Sequence, residues 1–455
     1  MVLEIKLGSI VAISTAIGNG GISIIRMSGD NVLNIASQVF SHPKIKVKNF
    51  EPRKMYLGTF HYENIYDQCM CVYFKAPHSY TGEDIIEFQC HGGITISNLI
   101  YESLIKCGCT PATKGEFSKI AFLNGKLTLD EAEGIVDMIN AESESEIRAG
   151  YDLTLGKLKA QVEDMQNMLT TTLAKIEVAL DYPEEDLEKE TYLDIKNALI
   201  PIKEKIKNLL STADTGRLIK DGVKILIFGK TNAGKSSLLN ALLGYDRAIV
   251  TEIEGTTRDT LEETFIYNGY KFVLIDSAGI RQSDNLVESI GIEKSKDALK
   301  YADIVLFVID TSVPLDNNDY DIMSKLNDKN TIVVANKSDL KQVVDTENLD
   351  YTNIIKISSK TGNGIDALKE KLFDIAKFGT INNGSVVITN ARHKESLSQA
   401  LDLINNAIAS VDNENMLDLI TMDIKECWMK LGDITGNSDN ESIINEIFSK
   451  FCVGK

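Results

Sequence analysis

Residues 229–236 read GKTNAGKS, the G-x-x-x-x-G-K-[ST] spacing of a phosphate loop, set between an apolar run at 223–228 (VKILIF) and a second apolar stretch at 238–243. A strand that turns through glycines into a helix start is the local geometry in which successive backbone N–H groups converge on a phosphate. Gly229 and Gly234 supply the turn, with Asn232 and Ala233 inside it. Lys235 adds a point charge between β and γ oxygens, and Ser236, followed by Ser237, offers a hydroxyl to Mg²⁺. This spacing commits the middle of the chain to a P-loop α/β fold.

Which base such a loop serves is decided further along. Asn336-Lys337-Ser338-Asp339 directly follows the apolar run 331–334. A carboxylate at a strand end accepts two hydrogen bonds from guanine N1–H and the 2-amino group, whereas adenine offers neither donor. An N-K-x-D tetrapeptide alone is commonly a surface turn; downstream of a phosphate loop and at a strand end it selects GTP and argues against ATP-driven chemistry. Asp276-Ser277-Ala278-Gly279 follows the run 272–275 as a D-x-x-G element, in which Asp276 holds Mg²⁺ through water and the Gly279 amide meets the γ-phosphate. Thr256 and Thr257, ahead of Arg258 and Asp259, stand where the first switch belongs, and Thr257 is the second hydroxyl for Mg²⁺. Ser358, Ser359 and Lys360, after the run 353–357, fit the loop that backs the base.

The position after D-x-x-G is Ile280, which has no polar atom with which to orient water, so the catalytic group must come from elsewhere. Glu288, in the acidic stretch 283–288, is the candidate to position the attacking water; a solvated surface glutamate is the competing reading. Positive charge for the transition state can come from Arg258, from Arg281 or from a bound monovalent cation. Asn232 favours the last, with residues 251–256 (Thr251, Glu252, Ile253, Glu254, Gly255, Thr256) supplying backbone oxygens to a hard cation such as K⁺.

The chain has 455 residues, too many for one core, and about three domains is the expectation from ordinary domain sizes. Residues 1–120 alternate short β-rich runs (10–14, 22–27, 69–74, 85–90) with glycine-containing turns, the texture of an α/β or α+β domain. Over 121–215 apolar residues step by three and four, from Leu158 to Leu180 and from Ile195 to Leu209, which places one stripe on each of two long helices. Residues 216–380 return to strands alternating with helices, as in a doubly wound, mainly parallel sheet. Helical spacing resumes over 381–455. The simplest reconciliation is one discontinuous helical bundle with a Ras-like GTPase domain inserted into it, since each half alone offers few helices to bury a stripe against. Residues 214–222 are expected as the linker into the insert and 382–385 as the linker out of it.

A net charge of −18 argues against gripping nucleic acid mainly through phosphates, which needs a concentrated Lys/Arg footprint. The cysteine count is odd, seven, with no C-x-x-C pair, as expected of reduced thiols in the cytoplasm. The start, MVLEIKLGSIVAIS, carries Glu4 and Lys6 and does not read as a signal peptide, and no run approaches the ~18 apolar residues of a membrane span.

Outside the GTPase segment, 18–29 (GNGGISIIRMSG), 79–93 (SYTGEDIIEFQCHGG), 115–129 (GEFSKIAFLNGKLTL) and the terminal FCVGK resemble the tRNA modification GTPases of the MnmE (TrmE) family, and the likeness runs essentially end to end. The resemblance implies an N-terminal domain that forms a homodimer and binds 5-formyltetrahydrofolate or a related folate through Arg26, Glu87, Lys126 and the C-terminal Lys455. It implies K⁺ at Asn232, Thr251, Ile253 and Thr256, and Glu288 as the catalytic glutamate. The implied activity is GTP hydrolysis coupled to placing a carboxymethylaminomethyl-type group on carbon 5 of the tRNA wobble uridine. A flavin-dependent partner, MnmG or GidA, shares the reaction in a heterotetramer. Taken by itself, Arg26 on a strand reads as a structural ion-pair member. Cys452 invites a nucleophile reading, yet a lone cysteine after Ile447, Phe448 and Phe451 is more often simply packed or exposed. The chain departs from the family pattern at Ser277, Lys114, Ile120 and 15–18 (TAIG), none assigned to the chemistry itself. The competing class is a GTP-gated regulatory or ribosome-assembly switch, which has no use for the N-terminal segments.

Overall fold

The computed structural model describes residues 8–181, 188–244, 263–275, 299–326, 330–349, 351–376, 386–414, 416–437 and 441–455. They divide into two compact units, one of Met1–Ile139, Gly150–Leu199 and Leu403–Lys455, the other of Asn140–Ala149 and Ile200–Asp402.

The first unit holds a seven-stranded sheet built from β1 (Ile10–Ile13), β2 (Ile22–Ser28), β3 (Phe40–Ser41), β4 (Met55–Tyr62), β5 (Ile65–Phe74), β6 (Ile85–His91) and β7 (Thr110–Pro111), in the order β3-β4-β5-β6-β2-β1-β7. All neighbours are antiparallel except β1 and β7. Strand β2 shows why one face is dry: Ser23, Ile25 and Met27 are buried and alternate with the half-buried Ile24 and Arg26. Its dry face joins Phe60, Cys71 and Phe88 in a core covered by α1 (Val32–Val39) and α2 (Ile94–Lys106), which contribute Ile35, Val39, Ile100 and Leu104. Phe60 and Phe88 meet edge to face at 5.4 Å, and burying each ring is worth roughly 1.5–3 kcal/mol.

Helices α3 (Glu116–Leu123), α4 (Leu129–Asn140), α5 (Glu144–Thr154) and α6 (Lys157–Asp181) follow, then α7 (Glu188–Ser211). On α6, Leu158, Val162, Met165, Leu169 and Ile176 are all fully buried, as the spacing predicts, but the stripe fades toward the end of the helix, where Leu173 is half-buried and Leu180 is exposed. Its partner comes from beyond the phosphate loop: the chain ends in α12 (Ala391–Asp412), α13 (Leu417–Thr435) and α14 (Glu441–Ser449), and α13 lies along α6. Gln166 Nε2 on α6 donates to the Trp428 carbonyl at 3.0 Å. On α14, Ile444, Ile447 and Phe448 pack against Leu129 and Ala132. The helix closes tightly on the start of α3, where a Cβ on Gly115 would stand 2.3 Å from the Phe448 carbonyl.

The second unit holds α8 (Ala213–Asp221), β8 (Val223–Gly229), α9 (Lys235–Leu243), β9 (Glu263–Tyr267), β10 (Tyr270–Ile275), β11 (Ile304–Asp310), α10 (Asn317–Leu326), β12 (Thr331–Asn336), β13 (Ile354–Lys356) and α11 (Ile365–Ile375). Its sheet runs β13-β12-β11-β8-β10-β9, parallel throughout except that β9 is antiparallel to β10. Alternate residues serve opposite layers. Ile225, Ile227, Leu306 and Val308 face a core shared with α9 and α11, while Leu226, Val305 and Phe307 face a second core with Met323 and Leu326 of α10. Burial on both faces is why these strands are continuous apolar runs, and the sheet is the doubly wound one expected.

One expectation fails. Residues 214–222 do not form a linker, because Ala213–Asp221 is helical. Ala213, Gly216 and Ile219 form its buried face, and a Cβ on Gly216 would lie 2.0 Å from the Ile388 carbonyl. Glycine there serves close packing, and the turn falls on Gly222 at φ 79°. The expected exit at 382–385 lies outside the described residues. Among the described residues, no helix is long and apolar enough to cross a membrane.

Candidate nucleotide-binding site

The phosphate loop stands at the carboxyl end of β8, in the middle of the sheet. Gly229 has no alternative, since a Cβ there would lie 2.4 Å from the Val308 carbonyl of β11. Asn232 takes the left-handed region at φ 63°, and Gly234 does so at φ 97°, where a Cβ would lie 2.2 Å from Asn336 Nδ2. Helix α9 then begins at Lys235, carrying Ser236 and Ser237 in its first turn, and its buried Leu238, Leu239 and Leu242 anchor that end in the core. The first-turn N–H groups have no acceptor within the helix, and this is what a phosphate completes. Lys235 Nζ donates to the carbonyls of Gly229 at 2.8 Å and Lys230 at 2.6 Å. Burial pulls its pKa below the usual lysine value, a cost that an approaching phosphate anion offsets.

Asn336 welds three loops together. Its Nδ2 donates to the Ala233 carbonyl at 2.9 Å, and its Oδ1 accepts from the N–H and hydroxyl of Ser359, both at 3.0 Å. The side chain is buried with all of these groups satisfied. Lys337 sits at φ 65° and pairs with Asp310 Oδ2 at 2.5 Å, while Ser338 N–H donates to the Ile357 carbonyl at 3.0 Å. Asp339 Oδ1 accepts from the Ser358 hydroxyl at 2.7 Å. That bond, helped by the nearby charges of Lys360 and Lys337, holds the carboxyl below its usual pKa, so it stays ionised as an acceptor for a base.

The structure thus brings Gly229, Asn232, Ala233, Gly234, Lys235, Ser236 and Ser237 to the same sheet edge as Asn336, Lys337, Ser338, Asp339, Ser358, Ser359 and Lys360. Thr251, Glu252, Ile253, Glu254, Gly255, Thr256, Thr257, Arg258, Asp276, Ser277, Ala278, Gly279, Arg281 and Glu288 lie outside the described residues. Strand β10 ends at Ile275, in parallel register with Leu226, one residue short of Asp276. Sequence reasoning passed over Asp310, the partner of Lys337; an aspartate closing an apolar strand, IVLFVID, was the available signal.

A second cluster lies in the first unit. Arg26 and Glu87 are register partners on β2 and β6, and Arg26 Nε donates to Glu87 Oε1 at 2.8 Å. The guanidinium lies 5.8 Å from the ring centres of both Tyr80 and Phe117. The last residues of the chain dock beside it. Val453 bridges to Lys114, and the Gly454 carbonyl accepts from Ser14 Oγ at 3.1 Å and from Arg26 Nη1 at 3.4 Å. Gly454 is at φ 94°, and a Cβ would stand 2.7 Å from the Ile13 carbonyl, so only glycine lets the tail seat. Lys455 has its pKa lowered, first by burial and then by the Arg26 cation. Lys126 stands on a different turn, its Cε 3.2 Å from where a Cβ on Gly82 would be. Phe451 is buried and Cys452 exposed.

Known proteins carry the same plan. A family model described as the MnmE helical domain matches residues 129–452, and one described as the GTP-binding protein TrmE N-terminus matches 9–126. The chain is 41% identical to a tRNA modification GTPase MnmE of Clostridioides difficile, covering 98% of this chain and 99% of that protein. It is 40% identical to one of Lachnoclostridium phytofermentans, covering 99% and 100%. Among solved structures it is similar to the G domain of the T. maritima FeoB iron transporter, at 30% identity over 34% of this chain and 98% of that one, with a TM-score of 0.27. On the two family models and these full-length relatives, the chain belongs to the MnmE family of tRNA modification GTPases.

Proposed function

We propose that this chain hydrolyses GTP to drive modification of carbon 5 of the wobble uridine in tRNA, sharing the reaction with a flavin-dependent partner. The one-carbon unit comes from a formylated tetrahydrofolate bound in the N-terminal domain, 1–120, through which two copies pair. The GTPase domain is 216–380, set into a helical domain formed by 121–215 and 381–455. The observation that carries this reading beyond a GTP switch is the seating of Gly454 and Lys455 beside the Arg26–Glu87 pair.

The residues there suit a folate. Arg26 and Lys455 are cations for its carboxylates, Glu87 is an acceptor for the amide and amino donors of the pterin ring, and Lys126 is a third cation. In the GTPase domain, Asp339 reads guanine, Lys235 and the loop amides hold the phosphates, and Glu288 orients the attacking water. Mg²⁺, held by Ser236 and Thr257, would supply charge neutralisation at the β- and γ-phosphates. K⁺, held by Asn232, Thr251, Ile253 and Thr256, would supply positive charge to the transition state in place of Arg258 or Arg281. The left-handed Asn232 in the loop is compatible with that role.

The test is a titration of the whole chain with 5-formyltetrahydrofolate, paired with nucleoside mass spectrometry of tRNA from cells with and without it. Folate binding that fails in Arg26→Ala, together with loss of the wobble modification, is the expected result. Unmodified folate-blind protein and unchanged tRNA would leave a GTP-gated regulatory switch instead.

A further inference from the structure

The loop between β11 and α10 carries charges that nucleotide binding as described leaves unused. Asp316 caps α10, its Oδ1 accepting from the N–H groups of Asn318 at 2.8 Å and Asp319 at 3.4 Å. Asp319 reciprocates, its Oδ2 accepting from the Asp316 N–H at 3.1 Å. Facing carboxylates of this kind form a capping box, welcomed by the partial positive charge of the helix end. They also repel one another unless a cation stands between them. That cation is Lys230, the second residue of the phosphate loop. Its Nζ donates to Asp319 Oδ2 at 2.5 Å and is ion-paired with Asp316 too. The Asp319 side chain is only 8% exposed, so water screens this contact less than it would a surface pair. Burial works against the Lys230 charge, and the hydrogen bonds to Asp316 and Asp319 outweigh it, leaving its pKa above the ordinary value.

The main chain of the same residue reaches the phosphate machinery. The Lys230 carbonyl accepts from Lys235 Nζ at 2.6 Å and from the Ala233 N–H at 3.4 Å. Lys230 is therefore fixed through its side chain to a helix cap and through its backbone to the lysine that meets the phosphates. A lysine in a phosphate loop would ordinarily be read as a further phosphate ligand; here two carboxylates already hold its ammonium.

We propose that Lys230 is a positioning residue, whose clamp in the Asp316–Asp319 cap pre-sets the phosphate loop for the β-phosphate. Pre-organisation strengthens binding without adding a contact. The consequence is a loss shared by GDP and GTP when the clamp is cut, with turnover at saturation retained.

The experiment compares Lys230→Met, Lys230→Arg and Asp319→Asn in the full chain with Mg²⁺. Affinities for GDP, GTP and GMP are measured by titration, alongside kcat, KM and the thermal midpoint. Lys230→Met should weaken GDP and GTP alike by about tenfold and raise KM, with kcat within about twofold of wild type. GMP, which lacks the β-phosphate, should bind as before, and Lys230→Arg should restore most of the loss. Asp319→Asn, which keeps the shape of the cap, carries the same expectation should Lys230→Met fail to fold. Unchanged GDP affinity in the variants would overturn the proposal. So would an equal loss for GMP and GDP accompanied by a lower thermal midpoint, which would make the clamp a support for the fold alone.

Discussion

The nucleotide end of the second unit and the tail-docked cluster of the first are built in opposite ways. Around the phosphate loop, eight consecutive residues already contain the turn, the amides and the lysine, and distant elements only hold them in register. Around Arg26 no single segment holds more than one or two of the partners. Residues 14, 26, 80, 87, 117 and 454 come from five separate stretches and meet only because strands β2 and β6 pair and α14 carries the tail back. A site made by local chain geometry is sensitive to backbone substitution within its motif. A site made by convergence is sensitive wherever one of its carriers is displaced.

The largest expected effect tests the first half of this contrast. Gly234→Ala forces a side chain onto a left-handed residue and into Asn336 Nδ2, 2.2 Å away. GDP affinity should fall by more than about 100-fold, since the amides and Lys235 lose their common target. Titration with 5-formyltetrahydrofolate should be unchanged in the same variant. Simultaneous loss of both ligands would show the two sites to be less separable than their construction implies.

Next in size is the reciprocal change. Gly454→Val meets the Ile13 carbonyl at 2.7 Å at a φ of 94°, so the tail must lift and take Lys455 with it. Folate affinity should drop by roughly 10–30-fold, in line with losing a charge-assisted contact and its pre-organisation, while GTP hydrolysis continues. Retained folate affinity would remove the tail from the site.

A third change compares cores rather than sites. Asn336→Ala leaves the Ala233 carbonyl and the Ser359 donors without their partner inside a buried position. The expected cost is about 1–3 kcal/mol of stability in the second unit, read as a lower midpoint in denaturant. Phe88→Ala, in the first unit, should cost about 3–5 kcal/mol but leave GDP binding alone.

The two constructions also explain what could be seen in the amino-acid sequence. β8, the phosphate loop and α9 were legible because their signal is local: an apolar run, a glycine spacing and a helical stripe. The same holds for Asn336 to Asp339 at the end of β12. By contrast β4, Met55–Tyr62, carries apolar residues at both parities, with Met55 and Leu57 exposed and Tyr56 and Phe60 buried, so its period of two is hidden. Helix α8 occupies the stretch expected as a linker, 214–222, because the contact that calls for Gly216 comes from Ile388, far along the chain. The docking of Gly454 on Ser14 and the clamp on Lys230 join residues far apart in the chain, and no spacing rule reports such contacts.

The smallest expected effect sharpens the comparison through pH. Asp339 has a folded-state pKa below its unfolded value, chiefly through the Ser358 hydroxyl. Its contribution is therefore present above the unfolded pKa and is lost as pH falls through the folded one. Ser358→Ala should move the acid limb of GDP binding upward, toward the ordinary aspartate range, with little change near neutrality. Lys455 runs the other way. Burial and Arg26 lower its folded pKa, so the unfolded chain binds more protons in the window between the two values, and the cost of burying the charge is relieved as pH rises through it. The same loss of charge removes a cation for an anionic ligand, so folate affinity should weaken on the alkaline side, below the pH at which a free lysine titrates. Two titration curves on one protein, GDP failing toward acid and folate toward alkali, would assign each ligand to its own unit. Curves that failed together at one end would mean that a single group governs both.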